Sequence, residues 1–212
     1  MKLLLTAFDP FGGDTVNPAL EAVALVPDRV GGVDIVKVIV PTVFGVSVDV
    51  GSQAIAAEHP DAVLCIGQAG GRYEVTPERI GINVDDARIP DNAGNQPIDA
   101  PIAPGGPPAY FATLPVKAMA QAIRRAGLPS AVSNSAGTFV CNHLMYGVLH
   151  YAATQGLGIP AGFMHVPFTP AQVVARPGTP AMSIPDIVTA ITAAIGAIEH
   201  PESGTAEEGT LH

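Results

Sequence analysis

Short apolar runs that alternate with longer segments of helical period are the feature that most constrains the fold of this chain. The runs KLLLTA (2–7) and AVLCI (62–66) have the length and continuous apolarity of buried strands. The segments 46–58 and 184–199 space their apolar residues as helices do. Strands that alternate with helices form a largely parallel sheet with helices on both faces. The sequence therefore predicts an α/β fold, a single-domain three-layer αβα sandwich around a largely parallel (mixed) twisted sheet.

The same reasoning extends along the chain. Strands are predicted at 2–7, 33–40, 62–66, about 79–84, 131–133 and 161–166, and helices at 18–26, 46–58, 108–126, 140–155 and 184–199. The stretch 78–108 is rich in turn-forming residues and, the strand near 79–84 apart, is expected to be an irregular functional loop. The domain is predicted to span 1–199, followed by an acidic, glycine-rich tail at 200–212 that we expect to be frayed.

Charge and composition exclude several classes of function. The net charge is −9, with 19 acidic residues against 10 basic ones, so the cationic surface that binds nucleic acid is missing. A membrane role is not expected, because the sequence has no basic stripe and no uninterrupted apolar stretch of about 18 residues. The opening MKLLLTA is interrupted by FDPFGG before a cleavage site could follow, which indicates a cytoplasmic protein without a signal peptide.

The sequence also predicts that no metal or cofactor is needed. Two cysteines and six histidines show no zinc-ligand spacing. The acids of DDARIPDN lack calcium-loop spacing, and ion pairs with Arg88 explain them. The glycine-rich GQAGGR fits neither common phosphate-binding motif.

Cys141 is a candidate nucleophile because it lies at the junction between a predicted strand and a predicted helix. A thiol at a helix N-terminus feels the positive end of the helix dipole, which can lower its pKa, and the backbone N–H groups there can hold an oxyanion. The alternative is that Cys141 is a small buried apolar residue. Cys65 lies inside an unbroken apolar strand, so its role is predicted to be structural.

A nucleophilic thiol needs an imidazole within hydrogen-bonding reach and a third group that orients the ring. His165 is the better candidate base, because it lies near the carboxyl end of a predicted strand, where α/β proteins collect functional groups. His143 follows Cys141 by two residues and would point to a different face of the helix. Spacing alone leaves the orienting acid open among four residues, Glu78, Asp85, Asp86 and Asp91.

At these residues the chain strongly resembles the pyroglutamyl peptidase I family of cysteine peptidases. The resemblance extends, in the family's order, to about Ala171, in the motifs LLTAFDPFGGDTVNP, PTVF, CIGQAGGR, TPERIGINVDDARIPDNAGNQP, AVSNSAGTFVCNHLMYG and GFMHVPF. It departs in two places: Ala7 stands where glycine is usual, and Asn134 lies in a variable spot before SAGTF.

The resemblance implies an activity and a set of site residues. The activity is removal of N-terminal pyroglutamate (5-oxoproline) from peptides through a thioester on the enzyme. The implied catalytic triad is Glu78, Cys141 and His165. The resemblance also places Arg88 near the catalytic centre and, around the pyroglutamate ring, Phe8, Phe11, Asn17, Gln68, Ile89, Phe139 and Val140. It further implies a cytoplasmic homotetramer without a cofactor.

Two other functions remain open at this point. A non-catalytic redox sensor would use reversible oxidation of Cys141 but would leave His165 and Glu78 unexplained. A thiol amidohydrolase that acts on free small amides would use the same three residues and would need no space for a peptide beyond the cleaved bond.

Overall fold

The fold is built around a mixed sheet whose central strands are parallel. The structure, a computed structural model, describes residues 1–200 and residue 208. Within these residues, six strands pair in the order β2-β3-β1-β4-β8-β5. Strands β1, β3, β4 and β8 are parallel, while β2 and β5 pair antiparallel at the two edges. The strands are β1 (Lys2–Phe8), β2 (Arg29–Val30), β3 (Val33–Val40), β4 (Ala62–Gln68), β5 (Thr76–Glu78), β6 (Ile80–Ile82), β7 (Ala109–Phe111) and β8 (Ala161–Val166).

Helices cover both faces of this sheet. The helices are α1 (Pro18–Leu25), α2 (Val46–Glu58), α3 (Val116–Arg125), α4 (Val140–Thr154), α5 (Pro170–Val173) and α6 (Ile184–Glu199). On one face α1, α3 and α6 pack together, and on the other α2 packs on α4. The predicted three-layer αβα sandwich is thereby confirmed.

The alternation of side chains along the strands explains why the core has two halves. In β1, Leu3 and Leu5 point into the cluster under α1, α3 and α6, while Leu4 and Phe8 point into the cluster under α2 and α4. In β4, Leu64 belongs to the first cluster and Cys65 to the second. Because both faces of the central strands are buried, these strands are continuous apolar runs in the sequence.

Two predicted elements are wrong. The helix predicted at 108–126 begins only at Val116, after Pro115, and residues 109–111 instead form β7, which pairs with β6. The strand predicted at 131–133 is absent, and this stretch makes only isolated bridges, through Ser130 and Ser133. The strand β7 was missed because pairing with a distant segment leaves no periodic signal in so short a stretch. The strand at 131–133 was wrongly predicted because a short apolar run does not by itself provide a partner for a continuous ladder.

Most other predicted bounds are confirmed within one or two residues. The strand predicted near 79–84 corresponds to β6 (Ile80–Ile82), and β5, which was not predicted, places Glu78 on a strand at the sheet edge. Residues 83–108 contain neither a helix nor a named strand, as expected. The predicted tail falls, apart from His200 and Glu208, outside the described residues, and Glu208 forms an ion pair with Arg124. No helix among the described residues is long and apolar enough to cross a membrane.

Candidate active site

Cys141 occupies the second position of α4, as the sequence predicts for a residue at a helix entrance. The helix begins at Val140, and Phe139 precedes it in an extended conformation. The first N–H groups of a helix have no partner within the helix, so the Cys141 side chain lies beside free donors.

Gly67 on β4 gives the Cys141 sulfur its space. A Cβ atom built on Gly67 would lie 3.0 Å from Cys141 Sγ and 2.7 Å from Phe163 Cζ, so a larger residue would displace the sulfur or the ring. Gly67 is also the register partner of His165 on β8. The thiol therefore lies above the strand pair that carries His165, at the carboxyl end of the parallel strands.

His165 is bonded to Glu78. The Nδ1 atom of His165 lies 2.7 Å from Glu78 Oε1, and both side chains are almost fully buried. Antiparallel pairing of β5 with β8 sets Thr76 opposite His165, so Glu78 is a diagonal neighbour on the same face of the sheet. This contact leaves Nε2 of His165 as the ring nitrogen available for chemistry.

Two of the other candidate acids have different partners. Asp85 lies 2.8 Å from Nδ1 of His143, whose Nε2 accepts a hydrogen bond from Gly45 N–H at 2.8 Å. Asp91 accepts hydrogen bonds from the backbone N–H groups of Phe44, Ala93 and Asn95. Of the four acids, Glu78 is the one with a hydrogen bond to His165 among the described contacts.

Arg72 is a residue that the sequence analysis missed. Its Nη1 donates to Glu78 Oε1 at 2.6 Å and to Thr76 Oγ1, and its Nη2 donates to Ser135 O at 3.1 Å. The guanidinium thus ties β5 to the loop that precedes α4. Arg72 ends the motif GQAGGR, which gives no local signal of this role. The requirement that a buried carboxylate be paired with a cation is the one clue that could have prompted a search for it.

Electrostatics keep Glu78 ionised. Burial favours its neutral form, but the hydrogen bond and charge of His165 together with the charge of Arg72 outweigh burial. The pKa of Glu78 is therefore held below its ordinary value.

The pKa of the Cys141 thiol is raised, whereas the helix dipole alone would lower it. Burial, followed by the negative charge of Glu78, raises the pKa of Cys141 to about 12, and the smaller lowering by Arg72 does not offset it. Cys141 is consequently a neutral thiol at rest, and its proton must pass to a base when it reacts.

A cavity of about 800 Å³ opens onto these groups. Seven of the residues predicted for the site line it: Phe11, Gln68, Arg88, Ile89, Phe139, Cys141 and His165. Asp86, one of the four candidate acids, also lines it, and the remaining lining residues were not among the predicted site residues: Ala69, Gly70, Arg72, Ala136, Gly137, Thr138 and Phe168. Glu78 lies behind His165, away from the cavity surface.

Three predicted ring contacts have side chains buried behind this wall. Phe8 is 1% exposed and packs 6.3 Å from the Phe163 ring. Asn17 is the N-cap of α1, where its Oδ1 accepts from Ala19 N–H at 3.0 Å. Val140 is fully buried in the core. None of the three lines the cavity among the described residues, so their contact with a ligand stays a prediction.

Comparison with known proteins identifies the family. The sequence model described as pyroglutamyl peptidase matches residues 1–200. The chain belongs to the pyroglutamyl peptidase family. The family predicted from the sequence, and with it the class of cysteine peptidases, is thus confirmed.

Similar proteins and structures cover nearly all of the chain. The pyrrolidone-carboxylate peptidase of Levilactobacillus brevis is 61% identical over 198 residues, which are 93% of this chain and 97% of that protein. The pyroglutamyl peptidase I structure from Bacillus amyloliquefaciens superposes with a TM-score of 0.90 at 46% identity, covering 95% of this chain and 98% of that one. A mutant pyrrolidone carboxyl peptidase from Pyrococcus furiosus gives a TM-score of 0.91 at 38% identity, covering 95% and 99%.

Proposed function

We propose that this protein removes N-terminal pyroglutamate from peptides, with Cys141 as nucleophile, His165 as base and Glu78 as the orienting acid. One observation carries the proposal: Cys141 and His165 line one cavity, and His165 is bonded on its far side to the buried Glu78. This is the order of groups that nucleophilic catalysis by a thiol requires. The names of the relatives support the choice of substrate.

In the first step, His165 Nε2 accepts the thiol proton as the Cys141 sulfur attacks the acyl carbon of the pyroglutamyl–X bond. Because the thiol is neutral at rest, proton transfer accompanies the attack. The carbonyl oxygen becomes an oxyanion, for which the free N–H groups at the start of α4 are suitable donors. When the C–N bond breaks, the imidazolium gives its proton to the leaving amine, and a thioester remains on Cys141.

In the second step, a water molecule attacks the thioester while His165 takes its proton. The C–S bond breaks, the proton returns to the sulfur, and free pyroglutamate leaves. Glu78 holds the Nδ1–H tautomer of His165 and stabilises the imidazolium formed in both steps. Arg72 keeps Glu78 ionised, so that the carboxylate can do so.

The cavity suits a blocked, neutral N-terminus. Its wall includes Phe11, Phe139 and Ile89, against which a flat lactam can pack.

The charges at the cavity do not provide a site for a free amino terminus. Arg72 is paired with the buried Glu78, and Asp86 and Arg88 line the cavity with opposite charges, so the lining has no excess of negative charge. A buried ammonium group would lack a carboxylate of its own.

The test compares one fluorophore released from a pyroglutamyl amide and from a prolyl amide. The two rings differ in the lactam carbonyl and in the charge of the ring nitrogen. The proposal expects kcat/KM to favour the pyroglutamyl amide by about 10⁴-fold or more. Equal turnover of both amides, or none of the pyroglutamyl amide, would contradict it.

The two alternatives are less well supported. A redox-sensing thiol has a low pKa, whereas the pKa of Cys141 is raised to about 12 by burial and by the charge of Glu78. For an amidohydrolase of small free amides, the volume of about 800 Å³ is more than the ring alone requires, and it favours a peptide beyond the cleaved bond.

The setting of the enzyme is part of the same proposal. A cytoplasmic location fits two unpaired thiols, one of which must stay reduced to react. Assembly as a homotetramer, which the family resemblance implies, would cover exposed apolar side chains such as Phe111, 67% exposed. Light scattering on the purified protein measures the number of subunits directly.

A further inference from the structure

Gln172 connects a helix cap to the wall of the cavity. Its Nε2 donates to Gln68 Oε1 at 3.0 Å and to Asp14 Oδ2 at 3.1 Å. Its Oε1 accepts from Thr169 N–H at 2.9 Å. Gln172 does not line the cavity, but Gln68 does.

The orientation of the Gln172 amide is fixed by a capping box. Thr169 is the N-cap of α5 and Gln172 is its third residue, and each side chain pairs with the backbone N–H of the other. A backbone N–H can only donate, so the atom that faces it must be the amide oxygen of Gln172. The NH₂ group of Gln172 therefore faces Gln68, and the atom of Gln68 that receives it must be oxygen.

This chain of contacts determines what Gln68 offers to a ligand. With its oxygen held by Gln172, the Gln68 amide has its NH₂ group left to face the cavity. A pyroglutamyl ring differs from a prolyl ring by one carbonyl oxygen, and an NH₂ group is the partner which that oxygen needs. We propose that Gln172 is a positioning residue for specificity, which holds the Gln68 NH₂ group toward the ring carbonyl of the substrate. The inference rests on the proposed function, because it takes the occupant of the cavity to be a pyroglutamyl ring.

The variant Gln172→Glu isolates this role. Glutamate serves in a capping box as well as glutamine does, so α5 keeps its cap. The new carboxylate has no donor for Gln68, and the Gln68 amide turns to give it the NH₂ group. The oxygen of the Gln68 amide then faces the cavity and repels the ring carbonyl of the substrate. KM for a pyroglutamyl amide should rise about 10- to 100-fold. The contact is made in ground state and transition state alike, so kcat should stay within about threefold.

Three comparisons separate this effect from a structural one. Asp14→Asn changes another contact of Gln172 but keeps an acceptor oxygen, so KM should stay within about twofold. The double variant Asp14→Asn/Gln172→Glu removes the repulsion between two carboxylates and should still have the raised KM. In a Gln68→Met background, which has no amide to orient, Gln172→Glu should change KM by less than about twofold.

A native KM in Gln172→Glu would overturn the inference. An equally large rise in KM when Gln172→Glu is made in the Gln68→Met background would overturn it as well. The ¹⁵N-labelled side-chain amide of Gln68, assigned by its loss in Gln68→Met, provides a readout that needs no turnover. Its signal should shift in Gln172→Glu as the NH₂ group binds the carboxylate, and an unchanged signal would equally refute the inference. If the native enzyme does not hydrolyse pyroglutamyl amides, the proposed function fails, and the inferred role in substrate specificity fails with it, even if this signal shifts.

Discussion

Cys65 and Cys141 lie in the same half of the core, yet their surroundings assign them different roles. Cys65 is fully buried within β4, and burial raises its pKa to about 12. Cys141 has an equally raised pKa but lies in the cavity wall that it shares with His165. Reactivity at this site therefore comes from the neighbouring base and from access to substrate, since the resting pKa values do not distinguish the two thiols.

Replacing each cysteine tests this difference. Cys141→Ala should abolish hydrolysis while thermal unfolding stays close to native, because one small partly accessible group is removed. Cys65→Ser should keep most activity and lose some stability, since a polar atom replaces an apolar one in the core. Alkylation followed by peptide mapping should label Cys141 in proportion to lost activity. Activity that survives complete labelling of Cys141 would exclude it as nucleophile.

Glu78→Gln should lower kcat by about 10²–10⁴-fold and leave KM within about threefold. The carboxylate acts on the imidazolium that forms during reaction, so its loss falls on the transition state. Glu74→Gln, the same exchange four residues earlier and outside the cavity, is the matched control. An unchanged kcat with a raised KM would make Glu78 a binding residue.

Arg72→Met should destabilise the protein by about 3 kcal/mol at neutral pH, because Glu78 loses its cation. The depressed pKa of Glu78 contributes stability above the unfolded value near 4.5, and this contribution is lost as pH falls through the lower folded value. In the variant the pKa of Glu78 in the folded protein rises, so Glu78 takes up a proton at a higher pH than in the native protein. The cost of burying a carboxylate without its cation therefore disappears in acid. The difference in Tm between native and variant should thus shrink from pH 7 to pH 4.

Arg79→Met is the matched control for this experiment. Arg79 adjoins Glu78 in sequence, but its Nε donates to Asn134 Oδ1 on the surface. Its loss should change Tm little, and by the same amount at both pH values. A Tm difference for Arg72→Met that does not vary with pH would show that Arg72 does not hold the charge of Glu78.

At the scale of secondary-structure elements, the strands and helices predicted correctly are those whose apolar residues repeat with the period of the element. The strands at 2–7 and 161–166 and the helices at 46–58 and 140–155 are long enough for buried faces to repeat. Strands β5 and β7 have three residues each and exist because distant segments pair with them. Pro115 marks the beginning of α3 and could have corrected the helix predicted at 108–126.

The same limit applies to the site. Cys141 and His165 could be found from their places at a helix start and a strand end. Glu78 could not be chosen by spacing, because the antiparallel pairing that brings it to His165 is a tertiary contact; only the family resemblance identified it. Arg72 and Gln172 act through side-chain contacts across the fold, and no motif of the sequence marks them.

A row of rings connects three segments beside the cavity. Phe11 lies 6.0 Å from Phe139, which lies edge-on to Phe44 at 5.4 Å, and Phe44 in turn lies edge-on to His143 at 5.4 Å. Phe11 and Phe139 both line the cavity, and Phe11 is at the end of the row. Phe11→Ala removes apolar contact with the ring, and KM should rise by about 10- to 100-fold.

The same variant separates affinity from specificity. Apolar contact with Phe11 is equally available to a prolyl ring, so the preference for pyroglutamyl over prolyl amides should remain largely intact in Phe11→Ala. Specificity constants for both amides of one fluorophore measure this. Loss of the preference would show that the aromatic wall, and not the polar groups around Gln68, sets specificity.

At the scale of the whole molecule, the fold assembles one site from distant parts of the chain. The nucleophile comes from a helix on one face, the base from a central strand and the acid from an edge strand. The chain carries a net charge of −9, while the charges at the cavity are balanced, because Arg72 is paired with Glu78 and Arg88 is matched by Asp86. The negative charge of the molecule is thus not concentrated in the cavity, where it would attract a positive N-terminus.

The central claim is that the reaction passes through a pyroglutamyl thioester on Cys141. An activated pyroglutamyl ester makes formation of the thioester fast, so acid quenching during turnover should trap it. Mass spectrometry should then find one added pyroglutamyl group, mapped to the peptide that contains Cys141. The adduct should be absent in Cys141→Ala and retained in Cys65→Ser. Sustained hydrolysis of the ester with no adduct on Cys141, or with the adduct on another residue, would contradict the account.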